Sequence, residues 1–182
     1  MNPIPLIEKY YPPGSLAHRI LLRHSGRVAA KAVQAARHAA LREAVDVEFV
    51  REAALLHDIG IFYTDAPDLG CHGALPYLAH GFKGRELLEK EGYPRHALVC
   101  ERHIGVGLSA VEIREKELPL PSRDMRPLTV EEEIVTYADL FFSKNPREQD
   151  RERTPEEVRQ TLRRFGEDKP AIFDAWHKRF GG

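Results

Sequence analysis

The sequence predicts an all-α protein. Three observations carry that reading. Apolar residues recur at spacings of three and four in one segment after another, as one face of a helix requires. Capping residues stand directly before several of these segments: Ser15, Asp46, Thr129 and Thr154. No segment shows the alternation that marks a strand.

The chain has 182 residues, enough for one domain with a substantial core. Apolar residues make up 42% and charged residues 30%, with a formal net charge of -1. No global field therefore draws nucleic acid or an anionic membrane, and no basic stripe with interleaved aromatics is present. An anionic ligand must be held by local charge or by metal. The two cysteines, Cys71 and Cys100, form no metal-binding pair, so a reducing cytoplasm is the expected setting. Neither a signal peptide nor a membrane span is expected.

Residues 1–15 carry Pro3, Pro5, Pro12, Pro13 and Gly14 and read as an arm, extended or with a short helix between turns. Ser15 caps a helix from Leu16 to about Leu41, in which Leu21, His24, Val28 and Ala32 share one face. His24 is then either a hydrogen-bonded core residue or a ligand. Asp46 caps a second helix through Val50, Ala53 and Ala54 to His57. Asp58 follows, and a carboxylate beside so apolar a run requires a partner. Gly60 is expected to supply the left-handed turn that ends this helix.

Residues 61–79 read as a loop with little regular pattern, of a length that is often functional. A thiol at Cys71 has no fixed base nearby. His80, in His80-Gly81-Phe82-Lys83-Gly84, is a ligand, an anion-site residue or a polar turn residue, and a helix runs from about Arg85 to Glu91. Pro94 starts the next helix, which places His103 on the face of Val99 and Cys100. His18, His38, His96 and His177 read as structural or exposed. A long connection from Gly105 to Pro127 carries Arg123 and Arg126. Thr129 and Glu132 then form a capping box, and Asp139 lies on the apolar side of that helix with Val135, Ala138 and Phe142. Lys144-Asn145-Pro146 ends it, and 147–153 reads as a charged linker. Thr154-Pro155-Glu156-Glu157 starts a helix that ends at Gly166. The last helix begins at Pro170 and offers Ile172, Phe173 and Trp176 either to the core or to a homodimer.

The inward polar residues, in order, are His24, His57, Asp58, His80, His103 and Asp139. Imidazole and carboxylate donors suit iron, manganese, cobalt, nickel or zinc, and magnesium less well. Through these residues the chain resembles the HD superfamily of metal-dependent phosphohydrolases, in its HDIG branch. His57-Asp58-Ile59-Gly60 matches the signature, Leu22-Arg23-His24-Ser25 the first histidine, and Tyr137-Ala138-Asp139 the closing aspartate. His103-Ile104-Gly105-Val106-Gly107 and the region from Leu118-Pro119 to Asp139 resemble a small stand-alone subgroup of predicted hydrolases.

The resemblance covers residues 16–145 and implies a five-helix core around a metal site there; the last two helices carry no motif of that family, and 146–182 is expected to be a helical extension packed on the same domain. It implies that His24, His57, Asp58 and Asp139 hold one divalent ion and that His80 and His103 complete a second site. Asp58 would be the catalytic bridge, and a metal-activated hydroxide would attack phosphorus. The implied substrate is a nucleotide or another small phosphorylated metabolite. Lys83, Arg123 and Arg126 are the candidates to hold its phosphate. Two other functions share the pattern: a mixed-valent di-iron oxygenase, and a non-catalytic sensor or scaffold.

Overall fold

A computed structural model describes residues 1–145, 148 and 151–181. The helices among them are α1 (Ile4–Tyr10), α2 (Leu16–Ala39), α3 (Val47–Leu56), α4 (His80–Lys90), α5 (Pro94–Arg102), α6 (Ala110–Glu115), α7 (Val130–Asp139), α8 (Pro155–Arg163) and α9 (Lys169–Phe180). Two short antiparallel strands, β1 (Asp65–Ala66) and β2 (Cys71–His72), pair Asp65 with His72 and Ala66 with Cys71. The molecule is thus all-α apart from this small hairpin. None of the described helices is long and apolar enough to cross a membrane.

Local chemistry explains where the long helices start. The Ser15 hydroxyl accepts from the His18 N–H, and the Asp46 carboxylate accepts from the Phe49 N–H. At α8, Thr154 and Glu157 each accept from the other's backbone N–H, a complete capping box behind Pro155 at the first helical position. At α7 the box is only half made. Thr129 accepts from the Glu132 N–H, but the Glu132 carboxylate turns to the Leu128 N–H and to Arg102.

Two apolar clusters make the interior. One joins α2, α3, α7, α8 and α9, through residues such as Val28, Ala32, Ala54, Ile134, Phe141 and Phe173. The small side chains along α2 let neighbouring backbones approach closely. The other joins α1, the end of α3, α4 and α5, through Ile7, Tyr11, Leu56, Ile59, Leu88 and Cys100. The chain crosses from the first cluster to the second between Ala54 and Leu56, and His57-Asp58 lies just beyond. The buried face of α9, with Phe173 and Trp176, packs against the core of its own chain.

Residues 1–15 contain α1, the short helix between turns, whose Leu6 and Ile7 are buried, so this segment is anchored by burial. Several expectations change. The 61–79 segment holds the hairpin and short 3-10 turns. Its strands escape pattern reading because two residues are too few to alternate. The 105–127 connection contains α6, capped by Ser109. Helix α4 begins at His80, since a 3-10 turn at Tyr77–Ala79 leads directly into it.

Gly60 is not left-handed; the positive-φ glycines are Gly14, Gly70, Gly92, Gly105 and Gly107. Its lack of a side chain serves another end. A Cβ there would collide with the His80 carbonyl and the Gly84 backbone, and a Cβ on Gly84 would collide with Cys100 Sγ. Pro146 and residues 147, 149 and 150 of the charged linker lie outside the described residues.

Candidate metal centre

Five of the six inward polar residues stand at helix ends. His57 and Asp58 follow the last turn of α3, His80 opens α4, His103 follows α5, and Asp139 is the last residue of α7. His24 comes from the middle of α2, among Leu21 and Val28 on its buried face.

The placement at helix ends has a chemical consequence. The last carbonyls of a helix lack intrahelical partners. His57 Nδ1 donates to the Ala54 carbonyl at 2.7 Å, His80 Nδ1 to that of Tyr77 at 2.6 Å, and His103 Nδ1 to that of Cys100 at 2.7 Å. Each bond spans three residues. Each places the proton on Nδ1 and turns Nε2 inward, the arrangement in which a neutral imidazole presents a lone pair to a cation. His24 differs: its Nδ1 is buried without a hydrogen-bond partner.

The four Nε2 atoms and two carboxylates converge. His24 Nε2 lies 2.9 Å from Asp139 Oδ1, 3.2 Å from Asp58 Oδ2 and 3.3 Å from His57 Nε2. His57 Nε2 lies 3.1 Å from Asp58 Oδ2 and 3.4 Å from Asp139 Oδ1. On the other side, His80 and His103 each place Nε2 3.5 Å from Asp58 Oδ1, and 3.2 Å from one another. Asp58 therefore divides the set, one oxygen facing His24 and His57, the other facing His80 and His103. Two groups of donor atoms, His24-His57-Asp139 and His57-Asp58-His103, each fall within 4.8 Å, a spacing that could hold an ion.

The contacts are close, yet Oδ1 of Asp58 and Oδ1 of Asp139 are buried without a well-directed hydrogen bond, and Oδ2 of Asp58 has the Lys144 ammonium beside it without one. Such groups are expensive to bury unless a cation or donor completes them, by several kcal/mol each, roughly. The residues thus fit a divalent metal ion on both sides of Asp58.

The electrostatics agree. Burial pushes the Asp58 carboxyl up, but His57 and Lys144 outweigh it and hold the acid well below the usual carboxylate range. Asp139 behaves in the same way, with Lys144 and His24 opposing burial. Burial lowers His57, but the two carboxylates raise it to about 10. At His80 burial wins, and the imidazole falls to about 3. The field at His57 favours positive charge.

In the sequence Lys144 stands only as part of a helix stop. Its Nζ lies 2.9 Å from Asp58 Oδ2. Burial works against its charge, but Asp58, Tyr77 and Asp139 keep the ammonium well above its ordinary value. Nothing in the local pattern marks it, because the segment after α7 is irregular.

The three cations expected to hold phosphate are each engaged elsewhere. Lys83 pairs with Glu86 at 2.7 Å, Arg123 with the buried Glu101 at 2.9 Å, and Arg126 with Asp124 at 2.6 Å. None of them lines the cleft that reaches Lys144. Of the remaining histidines, His96 meets Glu52 at 3.1 Å and His177 meets the Tyr137 hydroxyl at 2.9 Å. Both cysteines are buried, and burial pushes the Cys71 thiol up to about 11 and Cys100 well above its ordinary value, so neither offers a thiolate.

Comparison with known proteins follows this geometry. The family model of the HD domain matches residues 21–142, a span that contains all six residues. An uncharacterised protein of Methanocaldococcus jannaschii is 39% identical over 130 residues, covering 70% of this chain and 66% of that protein. Two tRNA (cytidine(56)-2'-O)-methyltransferases match over shorter stretches. That of Picrophilus torridus is 36% identical over 54% of this chain and 25% of its own length. That of Thermoplasma volcanium is 33% identical over 56% and 27%. The chain thus spans less than two thirds of these relatives. Among solved structures, the HD domain of the L. monocytogenes phosphodiesterase PgpH superposes with a TM-score of 0.55 at 18% identity, over 95% of this chain and 87% of that one. A family match over most of the chain, on a cluster whose donors meet in space, establishes that this protein belongs to the HD domain family.

Proposed function

We propose that the protein is a metal-dependent phosphohydrolase that cleaves phosphate esters of a nucleotide or small phosphorylated metabolite. The observation that carries this reading is Asp58: a buried carboxylate whose two oxygens face two separate histidine sets. In this reading His24, His57, Asp58 and Asp139 hold one divalent ion, and Asp58, His80 and His103 a second. Bound there, such ions would supply Lewis acidity, which polarises phosphoryl oxygens and makes water a stronger acid.

The chain's own residues do the rest. Backbone carbonyls hold three imidazoles with Nδ1 protonated and Nε2 facing inward, so that a bound cation would take the place of any proton on Nε2. Asp58 and Asp139 stay ionised at neutral pH and set the negative field that retains cations. Burial removes competing water from the donor atoms. Lys144 adds positive charge on the side of the cleft. Lys83, Arg123 and Arg126 keep a role only if alanine there raises KM for a phosphorylated substrate. The methyl transfer named for two relatives belongs to proteins of which the match covers about a quarter.

A screen of phosphorylated metabolites against protein loaded separately with manganese, iron and nickel tests the reading. Release of phosphate under anaerobic conditions is the expected result. Iron-dependent O₂ consumption without phosphate release would assign the oxygenase chemistry that shares this donor set.

A further inference from the structure

Outside the cluster, the most developed feature is a cleft of about 960 Å³. Its walls include Asp65 and Asp68 on the hairpin side, Tyr77, and Phe142, Lys144 and Arg153 from the chain after α7. Lys144 belongs to both places. It lines this cleft, and its Nζ reaches Asp58. Tyr77 is a second junction: it lines the cleft, its ring packs on that of His80 at 4.7 Å, and the Lys144 charge acts on its hydroxyl. Lys144 and Tyr77 therefore stand where this cleft borders the cluster.

The rim has the opposite sign. Asp65 and Asp68 are exposed, and no described residue forms an ion pair with either. Their backbone is fixed, because β1 pairs with β2 and the Asp65 N–H donates to the Leu75 carbonyl at 2.8 Å. Arg153 is shared with Glu148 at 3.5 Å, which offsets its charge. The cleft is thus cationic where it meets the cluster and anionic at its hairpin wall. A compact anion with a neutral or cationic remainder fits that polarity. A chain of several phosphates would lay its outer charges against two carboxylates.

We propose that Lys144, beside Tyr77, anchors the substrate phosphate where this cleft meets the cluster, and that Asp65 and Asp68 restrict the remainder of the substrate to a neutral or cationic group. The proposal rests on the phosphohydrolase reading and narrows it to small phosphomonoesters, against nucleoside triphosphates and nucleic acid. Lys144 acts here as a binding residue. A charged hydrogen bond of this type changes affinity on the order of 10- to 100-fold.

The test is titration calorimetry on the full chain loaded with manganese, with inorganic phosphate, phosphoethanolamine and adenosine triphosphate as probes. Lys144→Met is expected to weaken phosphate about 10- to 100-fold while the metal content per chain stays the same, and Lys144→Arg to keep most of the affinity. Tyr77→Phe, which leaves Asp58 its lysine, is expected to weaken phosphate a few-fold and covers the case in which the lysine variants fail to fold. Asp65→Asn with Asp68→Asn is expected to leave inorganic phosphate unchanged and to reduce the preference for phosphoethanolamine over the triphosphate. Phosphate affinity indifferent to positions 144 and 77, or selectivity indifferent to 65 and 68, would overturn the proposal. If phosphate binds through Lys144 but no ester is turned over, the hydrolase reading fails and the anchor stands. If esters are cleaved with the same KM after Lys144→Met, the anchor fails and the hydrolase reading stands.

Discussion

Three imidazoles of the cluster share one device, a bond from Nδ1 to the carbonyl three residues back. His24, His103 and Asp139 could be picked out from the sequence because they stand on apolar faces, and His57 and Asp58 because they follow an apolar run, where a polar group needs a reason; His80, at a glycine-rich helix entrance, carries no such mark. The division of the set by Asp58 could not be picked out, since that depends on which side each helix end approaches. Lys144 stayed hidden for the same reason. A titration at a different residue is open to direct test. The Thr154 N–H and the Arg151 guanidinium hold the Glu157 carboxyl down to about 2, from an ordinary value of 4.5. The folded value is depressed, so the stabilisation is present above the unfolded value and is lost as pH falls toward the folded one. In thermal melts, the advantage of the wild type over Glu157→Gln is expected to be constant above about pH 4.5 and to narrow steadily below it. An equal gap at pH 7 and pH 3 would show that the carboxylate's charge contributes nothing at this cap.

Helix starts were the most readable part of the architecture. Ser15, Asp46 and Thr154 act within three residues of themselves, so their caps follow from local sequence. The hairpin and α6 are too short for periodicity to mark them, and the true start of α4 is set by the 3-10 turn that leads into it. Gly60 marks the boundary between the two kinds of information. The residue type suggested a turn, but the structure uses it to let α4 approach the chain after Asp58. Gly60→Ala is therefore expected to push His80 away from Asp58 and to cost on the order of 2–4 kcal/mol in stability. Chemical denaturation measures the loss; a variant as stable as the wild type would show that the segment yields without strain.

The helical bundle brings residues from 24 to 139 to one point between two apolar clusters, and the chain crosses from one cluster to the other just before that point. The all-α class and the family were readable because they rest on periodicity and on an ordered set of residues. The cleft was not, because its walls come from the hairpin, the Tyr77 turn and the irregular segment after α7. What the molecule assembles there is a donor set centred on one carboxylate, and the number of ions it holds is a property of the whole fold.

Elemental analysis of untagged protein after equilibration with manganese measures that number directly. The expected result is up to two ions per chain, one on loss of His80 and His103 together, and none in Asp58→Asn with its helical content intact. Full metal content in Asp58→Asn, or no bound metal in the wild type, would contradict the assignment of Asp58 as the shared ligand of a two-sided metal centre.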